Sequence, residues 1–282
     1  MSQISYDDTP TLYLVPTPIG NLGDMTYRSI EILKNSEVIF SEDTRETKKL
    51  LDYYGIDKKM ISNHKFNEDT AWQKVLSYLD EGKTVALVSD RGTPSISDPG
   101  FVSTYQIINK GYNVVCLPGA TACIPALVMS GLNPNKFLFY GFLNSKKSSK
   151  KKELEELKEY KYSIILYESP FRVVETLELI KEIMGDRNIS VSREISKKHE
   201  EVYRGTVSEV LEEINPKGEF VIVIEENKEV KNYDQVDIIS HIKELIRSGL
   251  TEKEAIKEVA KLHKLQKQDV YKKYMEEKKW KK

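Results

Sequence analysis

The chain has 282 residues, 39% hydrophobic and 31% charged, with a formal net charge of −1; that accommodates two modest domains or one with an appendage, and excludes a chain drawn to nucleic acid by global charge alone. Its two cysteines, Cys116 and Cys123, sit either side of a Pro-Gly turn without metal-ligand spacing, which argues against a disulfide scaffold and fits a reducing cytosol. The first ten residues lack the apolar core of a signal peptide and no apolar run approaches the roughly 18 residues of a membrane span, so the expectation is a cytoplasmic protein with no membrane partner.

Short apolar runs at Leu12–Val15, Val38–Phe40, Val85–Val88 and Val114–Leu117 read as buried strands of a parallel sheet. Helical stretches such as Thr70–Asp80 and Val102–Asn109 fall between them, and strand alternating with helix predicts an α/β layered domain. Asn133-Pro134-Asn135 breaks the chain and marks the end of a first domain, 1–133. A second series begins near Phe137 and takes in Ile164–Tyr167, Ile189–Arg193, Glu201–Gly205 and Phe220–Glu225, whose closer spacing predicts a mixed sheet in a second domain, 134–228. The charged run Ser145–Lys161, with Glu and Lys three and four apart, reads as a solvated helix ahead of the alternative, an RNA contact.

A polar linker over 226–235 leads to three amphipathic segments, with Gly249 placed as a C-cap and Thr251 opening a capping box with Glu254. From Lys231 to Lys282 there are 14 Lys/Arg against 9 Asp/Glu, a surplus of five positive charges. Residues 229–282 are therefore expected to form a small basic helix-turn-helix-like extension, read either as a nucleic-acid contact or as a helical cap on the main body.

Three loops that follow predicted strands are rich in Gly, Pro, Ser, Thr and Asp: 16–24 (PTPIGNLGD), 89–100 (SDRGTPSISDPG) and 118–122 (PGATA). In an open parallel sheet, ligands bind beyond the carboxyl ends of the strands, so these loops are expected to converge on one crevice. None contains GxGxxG or GxxxxGK[ST], which disfavours a dehydrogenase or an ATPase. His64 follows a predicted strand near the expected cleft rim and reads as a surface histidine ahead of a substrate contact; His199, His241 and His263 show no ligand spacing, and no metal is expected.

The strings LYLVPTPIGNLGDMTYRSIEIL, SEDTRETKKLLDYYGI, ALVSDRGTPSISDPG and LPGATA, followed by FYGFL, YESPFRVVETL and VSREISKKHEEVYRGT, resemble in order the ribosomal small-subunit methyltransferase I family. These are cytidine 2′-O-methyltransferases of 16S ribosomal RNA within the tetrapyrrole-methylase superfamily. The resemblance spans about Leu12 to Glu225, and the basic extension is similar to one that this family carries. Members usually have Ala at the position of Arg91 and Pro at that of Ala120.

The resemblance implies a two-domain α/β fold with S-adenosylmethionine in the cleft, a homodimer, and small-subunit ribosomal RNA near the decoding centre, in the assembled subunit, as partner. By motif position, Pro18 and Ile19, Ser89 and Asp90, Thr121 and Ala122, and Tyr167 and Glu168 would contact the methyl donor. For the ribose hydroxyl, Asp43 or Glu168 would orient or deprotonate it, with Arg45, Arg172 and Arg193 holding RNA; the competing reading makes each acid the ion-pair partner of a nearby Arg. Lys197, Lys198 and Arg204 extend the basic group, and Phe66, Tyr140, Phe142 and Phe171 are either stacking partners for an unpaired base or core aromatics. Two rival functions stay open: a methylase of a tetrapyrrole precursor or protein side chain on the same scaffold, and a non-catalytic ribosome-assembly factor that binds RNA.

Overall fold

The computed structural model describes residues 3–5, 9–227, 237–263 and 265–280. The predicted linker over 226–235 lies, from residue 228 onward, outside them, as does the 228/229 boundary. The chain divides into two compact units, Met1–Glu226 and Asn227–Lys282.

The first half of the larger unit alternates strand and helix: β1 (Thr11–Leu14), α1 (Tyr27–Asn35), β2 (Val38–Ser41), α2 (Thr44–Tyr53), β3 (Lys59–Ser62), α3 (Glu68–Asp80), β4 (Val85–Val88), α4 (Phe101–Asn109), β5 (Asn113–Cys116) and α5 (Cys123–Ser130). The strands form a wholly parallel sheet in the order β3-β2-β4-β1-β5. Both faces are covered, and this is why the strands read as unbroken apolar runs. Leu12, Leu14, Val38, Phe40, Val85 and Leu87 enter one core with Val75, Leu79 and Ile107, while Val15, Ile39, Ala86 and Val88 enter the other with Leu33, Leu51 and Ile56.

The second half contains β6 (Phe137–Phe142), α6 (Lys147–Leu157), β7 (Ser163–Glu168), α7 (Val173–Met184), β8 (Asn188–Arg193), β9 (Glu201–Thr206), α8 (Val207–Glu213) and β10 (Phe220–Ile224). Its sheet runs β6-β7-β10-β8-β9, parallel only between β6 and β7. One face packs on α6, α7 and α8. The other receives α5, whose Cys123, Ala126 and Leu127 join Ile165, Val221, Val223 and Ile195. The break at 133/134 thus separates the sheets but not the packing: α5 precedes it in sequence and belongs to the core of the second sheet.

The solvated-helix reading of Ser145–Lys161 needs correction. Lys150, Leu154 and Leu157 stand at i, i+4, i+7 and all three are buried. The Lys150 side chain is 0% exposed, and its Nζ donates to Glu175 Oε2 at 3.1 Å and Thr176 Oγ1 at 3.0 Å. Its stem crosses apolar ground to reach those oxygens, so a residue counted as surface charge pins α6 to α7.

The smaller unit comprises α9 (Ile238–Arg247), α10 (Glu252–Leu262) and α11 (Lys267–Trp280). Ile239, Ile242, Ile256, Val259, Val270 and Tyr274 form its core. The Thr251–Glu254 capping box opens α10, and Gly249, at φ +106°, reverses the chain after α9 in a conformation that favours glycine. His241 Nδ1 lies 3.0 Å from His263 Nε2 in this core, an inter-helix pair that spacing along the chain does not reveal. No helix among the described residues is long and apolar enough to cross a membrane.

A second capping box joins Thr206 and Glu209 at the start of α8. Thr206→Ala is expected to lower stability by about 1 kcal/mol in urea denaturation, and an unchanged midpoint would contradict the role given to the cap.

Candidate active site

At the carboxyl edge of the parallel sheet, the three loops are tied to one another. Thr17 N donates to Gly92 O at 2.9 Å and Gly92 N returns the bond to Thr17 O at 3.0 Å, while Thr17 Oγ1 donates to Ser89 O at 3.2 Å. Thr93 Oγ1 donates to Ala120 O at 3.0 Å, joining the second loop to the third. The third meets the first where Gly119 passes Pro16 so closely that a Cβ at 119 would lie 2.5 Å from Pro16 Cβ. Reciprocal main-chain bonds, two threonine hydroxyl bonds and the close packing of Gly119 on the Pro16 ring thus hold three separate loops as a single wall.

Opposite that wall stand the end of β7, the start of β10 and the segment after β8. Between them is a cavity of about 370 Å³, lined by Ile19, Arg91–Thr93, Ile96–Asp98, Thr121 and Ala122 from the first half and by Phe142, Tyr167–Pro170, Ile195, Lys197 and Glu219–Val221 from the second. Tyr167 is braced edge-on by Phe139 and Phe142, at 5.0 and 5.6 Å between ring centroids. Burial, with Cys123 adding to it and against the opposing hydrogen bond of Thr121, pushes its hydroxyl well above the ordinary tyrosine range and keeps it neutral.

Of the expected donor contacts, Ile19, Thr121, Ala122, Tyr167 and Glu168 line this cavity. Pro18, Ser89 and Asp90 are not in its wall. Ser89 is buried and its Oγ donates back to Arg91 O and Gly92 O, shaping the second loop from within. Asp90 Oδ1 accepts Asp43 N at 2.9 Å, which ties the ends of β2 and β4 together.

The two acids expected to act on a hydroxyl are each paired with the Arg beside them. Asp43 caps α2: Oδ1 accepts Arg45 N at 2.9 Å and Nε at 3.0 Å, and Oδ2 accepts Nη2 at 2.6 Å. The Arg45 guanidinium holds the Asp43 carboxyl far below the usual carboxylate range, which makes it a weak base. Glu168 has a side chain 0% exposed, with Oε1 accepting Ser169 N and Arg172 Nε and Oε2 accepting Thr176 Oγ1, all within 2.8 Å. Arg172 also reaches Leu143 O, while Arg193 is taken up by Lys217 O and Glu201; neither lines the cavity, nor does Arg45.

Arg91 turns its guanidinium away from the loops to Glu219 at 2.7 Å, and Glu219 also takes Lys197 Nζ at 2.7 Å. Arg91 thus adds a link between the two halves at the cavity mouth, and an exposed pair of this kind contributes no more than ~1 kcal/mol. Phe66 and Phe171, 93% and 96% exposed, are not core aromatics; Phe142 lines the cavity.

Residues that the sequence left unselected are Ile96, Ser97 and Asp98 in the second loop and Ile195, Phe220 and Val221 in the second half. Asp98 is pushed up to about 7 by burial, with the charges of Glu42 and Asp90 adding to it. Its one sequence signal is an acid inside a Pro/Gly-rich loop after a strand. Phe220 and Val221 belong to β10 and Ile195 follows the end of β8; all three are apolar and read as core.

The family model described as Tetrapyrrole (Corrin/Porphyrin) Methylases matches residues 11–211. The chain is 47% identical to Ribosomal RNA small subunit methyltransferase I of Bacillus subtilis (strain 168), covering 97% of each. It is 43% identical to the protein of the same name from Halalkalibacterium halodurans, covering 96% of each. Among solved structures, the methyltransferase CobJ aligns with a TM-score of 0.58 at 16% identity over 78% of this chain and 95% of that one, a likeness of fold.

Gly119→Ala forces Pro16 and the third loop apart. Calorimetry with S-adenosylmethionine should then show affinity weakened about tenfold or more, roughly 1.4 kcal/mol, with the circular dichroism spectrum unchanged; wild-type affinity would show that the loop contact does not shape the site.

Proposed function

The chain belongs to the tetrapyrrole methylase family and, within it, groups with the ribosomal RNA small subunit methyltransferase I proteins, and from that premise we propose that it transfers a methyl group from S-adenosylmethionine to the 2′-hydroxyl of a cytidine in small-subunit ribosomal RNA. The observation that carries the reading is the cavity closed by three clasped loops on one side and the β7 and β10 ends on the other. Its volume of about 370 Å³ lies within the roughly 300–1,000 Å³ of small-molecule sites. Ile19, Ile96, Ala122, Tyr167, Ile195 and Val221 supply apolar walls for a nucleoside, and the main chain of the clasped loops supplies polar edges. The donor set therefore fits a sulfonium nucleoside.

When bound, S-adenosylmethionine supplies an electrophilic methyl group. The residues of this chain have to hold the ribose oxygen in line with it and keep water away, and alignment of this kind is worth several kcal/mol. The clasped loops are suited to it because the bonds between Thr17 and Gly92 and between Thr93 and Ala120 fix the wall in advance. Arg45, 86% exposed at its side chain, and the exposed rings of Phe66 and Phe171 are read as RNA contacts at the rim. The relatives' names give small-subunit ribosomal RNA, and the assembled subunit is taken here as the form in which it is met.

A homodimer is also proposed. Phe101, Tyr105 and Ile108 lie at i, i+4, i+7 on α4, and Ile124 and Val128 at i, i+4 on α5, and all are exposed. Apolar stripes of this kind suit a self-complementary contact. Sedimentation at micromolar concentration should give a dimer that Val128→Asp shifts toward monomer; a wild-type monomer would contradict the assignment.

The activity itself is tested by incubating the protein with methyl-labelled donor and small subunits that lack the modification, followed by nuclease digestion and mapping. Label in one 2′-O-methylcytidine is expected. Label in protein or in small molecules would favour the rival methylases, and donor that does not bind would favour an assembly factor.

A further inference from the structure

A ribose hydroxyl that attacks a methyl group must give up its proton, and the cavity wall contains one carboxylate whose surroundings leave it free to accept it. Asp43 is held by Arg45 on both oxygens, and Glu168 is saturated by Ser169, Arg172 and Thr176. Asp98 lines the same cavity as Glu168. The cations of the cavity wall are engaged elsewhere: Arg91 with Glu219, and Lys197 with Glu194 and Glu219.

The loop that carries Asp98 is pinned from two sides. Glu68 Oε1 of α3 accepts Gly100 N at 2.6 Å and Val102 N at 3.0 Å, and Ser97 Oγ packs against Gly141 of β6, 3.1 Å from where a Cβ would stand. Its backbone is strained: Ser95 and Ser97 have φ of 70° and 68°. Among the described residues only Glu194 and Ser196 share this left-handed conformation without being glycine. The two pairs bracket Ile96 and Ile195, and both isoleucines line the cavity. Strain gathered at one cavity from two distant segments marks a place where geometry is kept at a cost in stability.

We propose that Asp98 is the general base of the reaction, accepting the 2′-hydroxyl proton directly; this rests on the 2′-O-methyl transfer proposed above. The ribose O–H bond breaks and its proton passes to an Asp98 carboxylate oxygen. The ribose oxygen forms the new bond to the methyl carbon as the carbon–sulfur bond breaks with its electron pair remaining on sulfur. The positive charge lost at sulfur leaves as the proton, which Asp98 releases to solvent.

The electrostatics agree. Burial foremost, then the carboxylates of Glu42 at the end of β2 and Asp90 after β4, raise Asp98 to about 7, where a base is half ionised at neutral pH and its proton affinity is well matched to the task. Since the ionised form is the active one, the rate rises with pH and levels off above the Asp98 midpoint. A bound cation stabilises the carboxylate, so this limb in the loaded enzyme lies at or below the midpoint of the unloaded protein.

The test combines donor calorimetry, single-turnover methylation of unmodified small subunits between about pH 5.5 and 9, and carbon-13 NMR of aspartate-labelled, unloaded protein. Asp98→Asn should bind S-adenosylmethionine within about threefold of wild type, lose roughly 10²-fold or more in rate, and lose the rising limb. The NMR should show a carboxyl titrating near 7 that is missing in Asp98→Asn and moves lower in Glu42→Gln; Asp98→Ser replaces the Asn variant if that one does not fold. A variant that keeps its rate and its limb overturns the assignment, and so does a folded variant that no longer binds donor, since Asp98 would then be holding the donor. A wild-type protein that binds donor but methylates no ribose overturns the functional reading itself, and this assignment with it.

Discussion

The two-way hydrogen bond between Thr17 and Gly92 is the constraint from which the site follows. It joins the loop after β1 to the loop after β4, and Thr93 and the Gly119–Pro16 contact extend the join to the loop after β5. Strands that are neighbours in the sheet deliver the loops side by side, but only these bonds turn three mobile connections into one rigid wall. Rigidity matters because methyl transfer asks the protein chiefly for alignment, and a wall assembled before binding spends no binding energy on its own ordering. The second sheet contributes the opposite wall, and α5, packed on it although it follows directly from the third loop, makes the two walls one structure.

Charge around the cavity sorts into two kinds. Most acids are satisfied: Asp43 by Arg45, Glu168 by Arg172, Glu219 by Arg91 and Lys197. These pairs build helix caps, brace β7 and link the halves at the mouth. Asp98 differs: it lines the cavity on a strained loop, with the like charges of Glu42 and Asp90 acting on it. Such a split, with neighbouring carboxylates in environments that push their proton affinities apart, separates structural acids from a chemical one. It also gives Arg91 a bland role: its partner is Glu219, so the cation faces across the mouth and leaves the loop main chain unobstructed.

Much of the fold was legible in the sequence because buried parallel strands and amphipathic helices declare themselves by run length and period. The three loops were legible too, through their Gly, Pro and Asp content. What escaped was whatever depends on contacts distant in sequence. Lys150 looks like one more lysine in a charged run, yet its i+4 and i+7 neighbours are leucines and its ammonium is buried against α7. Asp43 and Glu168 differ from these: the sequence left each open as a base or as the ion-pair partner of a nearby Arg, and in the folded chain each carboxylate accepts from the Arg two or four residues on. Ser95 and Ser97 carry no mark of a left-handed backbone, so the loop half that bears Asp98 gave no local signal. Phe220 and Val221 read as core strand, and the fold places them at the start of β10 where core becomes cavity wall.

The central claim is that one pocket, walled by the clasped loops and by the ends of β7 and β10, takes the methyl donor. A crystal structure of the protein soaked with S-adenosylmethionine tests it most directly. The structure described here predicts the nucleoside between Ile19, Thr121 and Ala122 on one side and Tyr167 on the other, with the methyl group turned toward Asp98. Donor bound outside this cavity, or a complex in which the loops separate to admit it elsewhere, would contradict the claim.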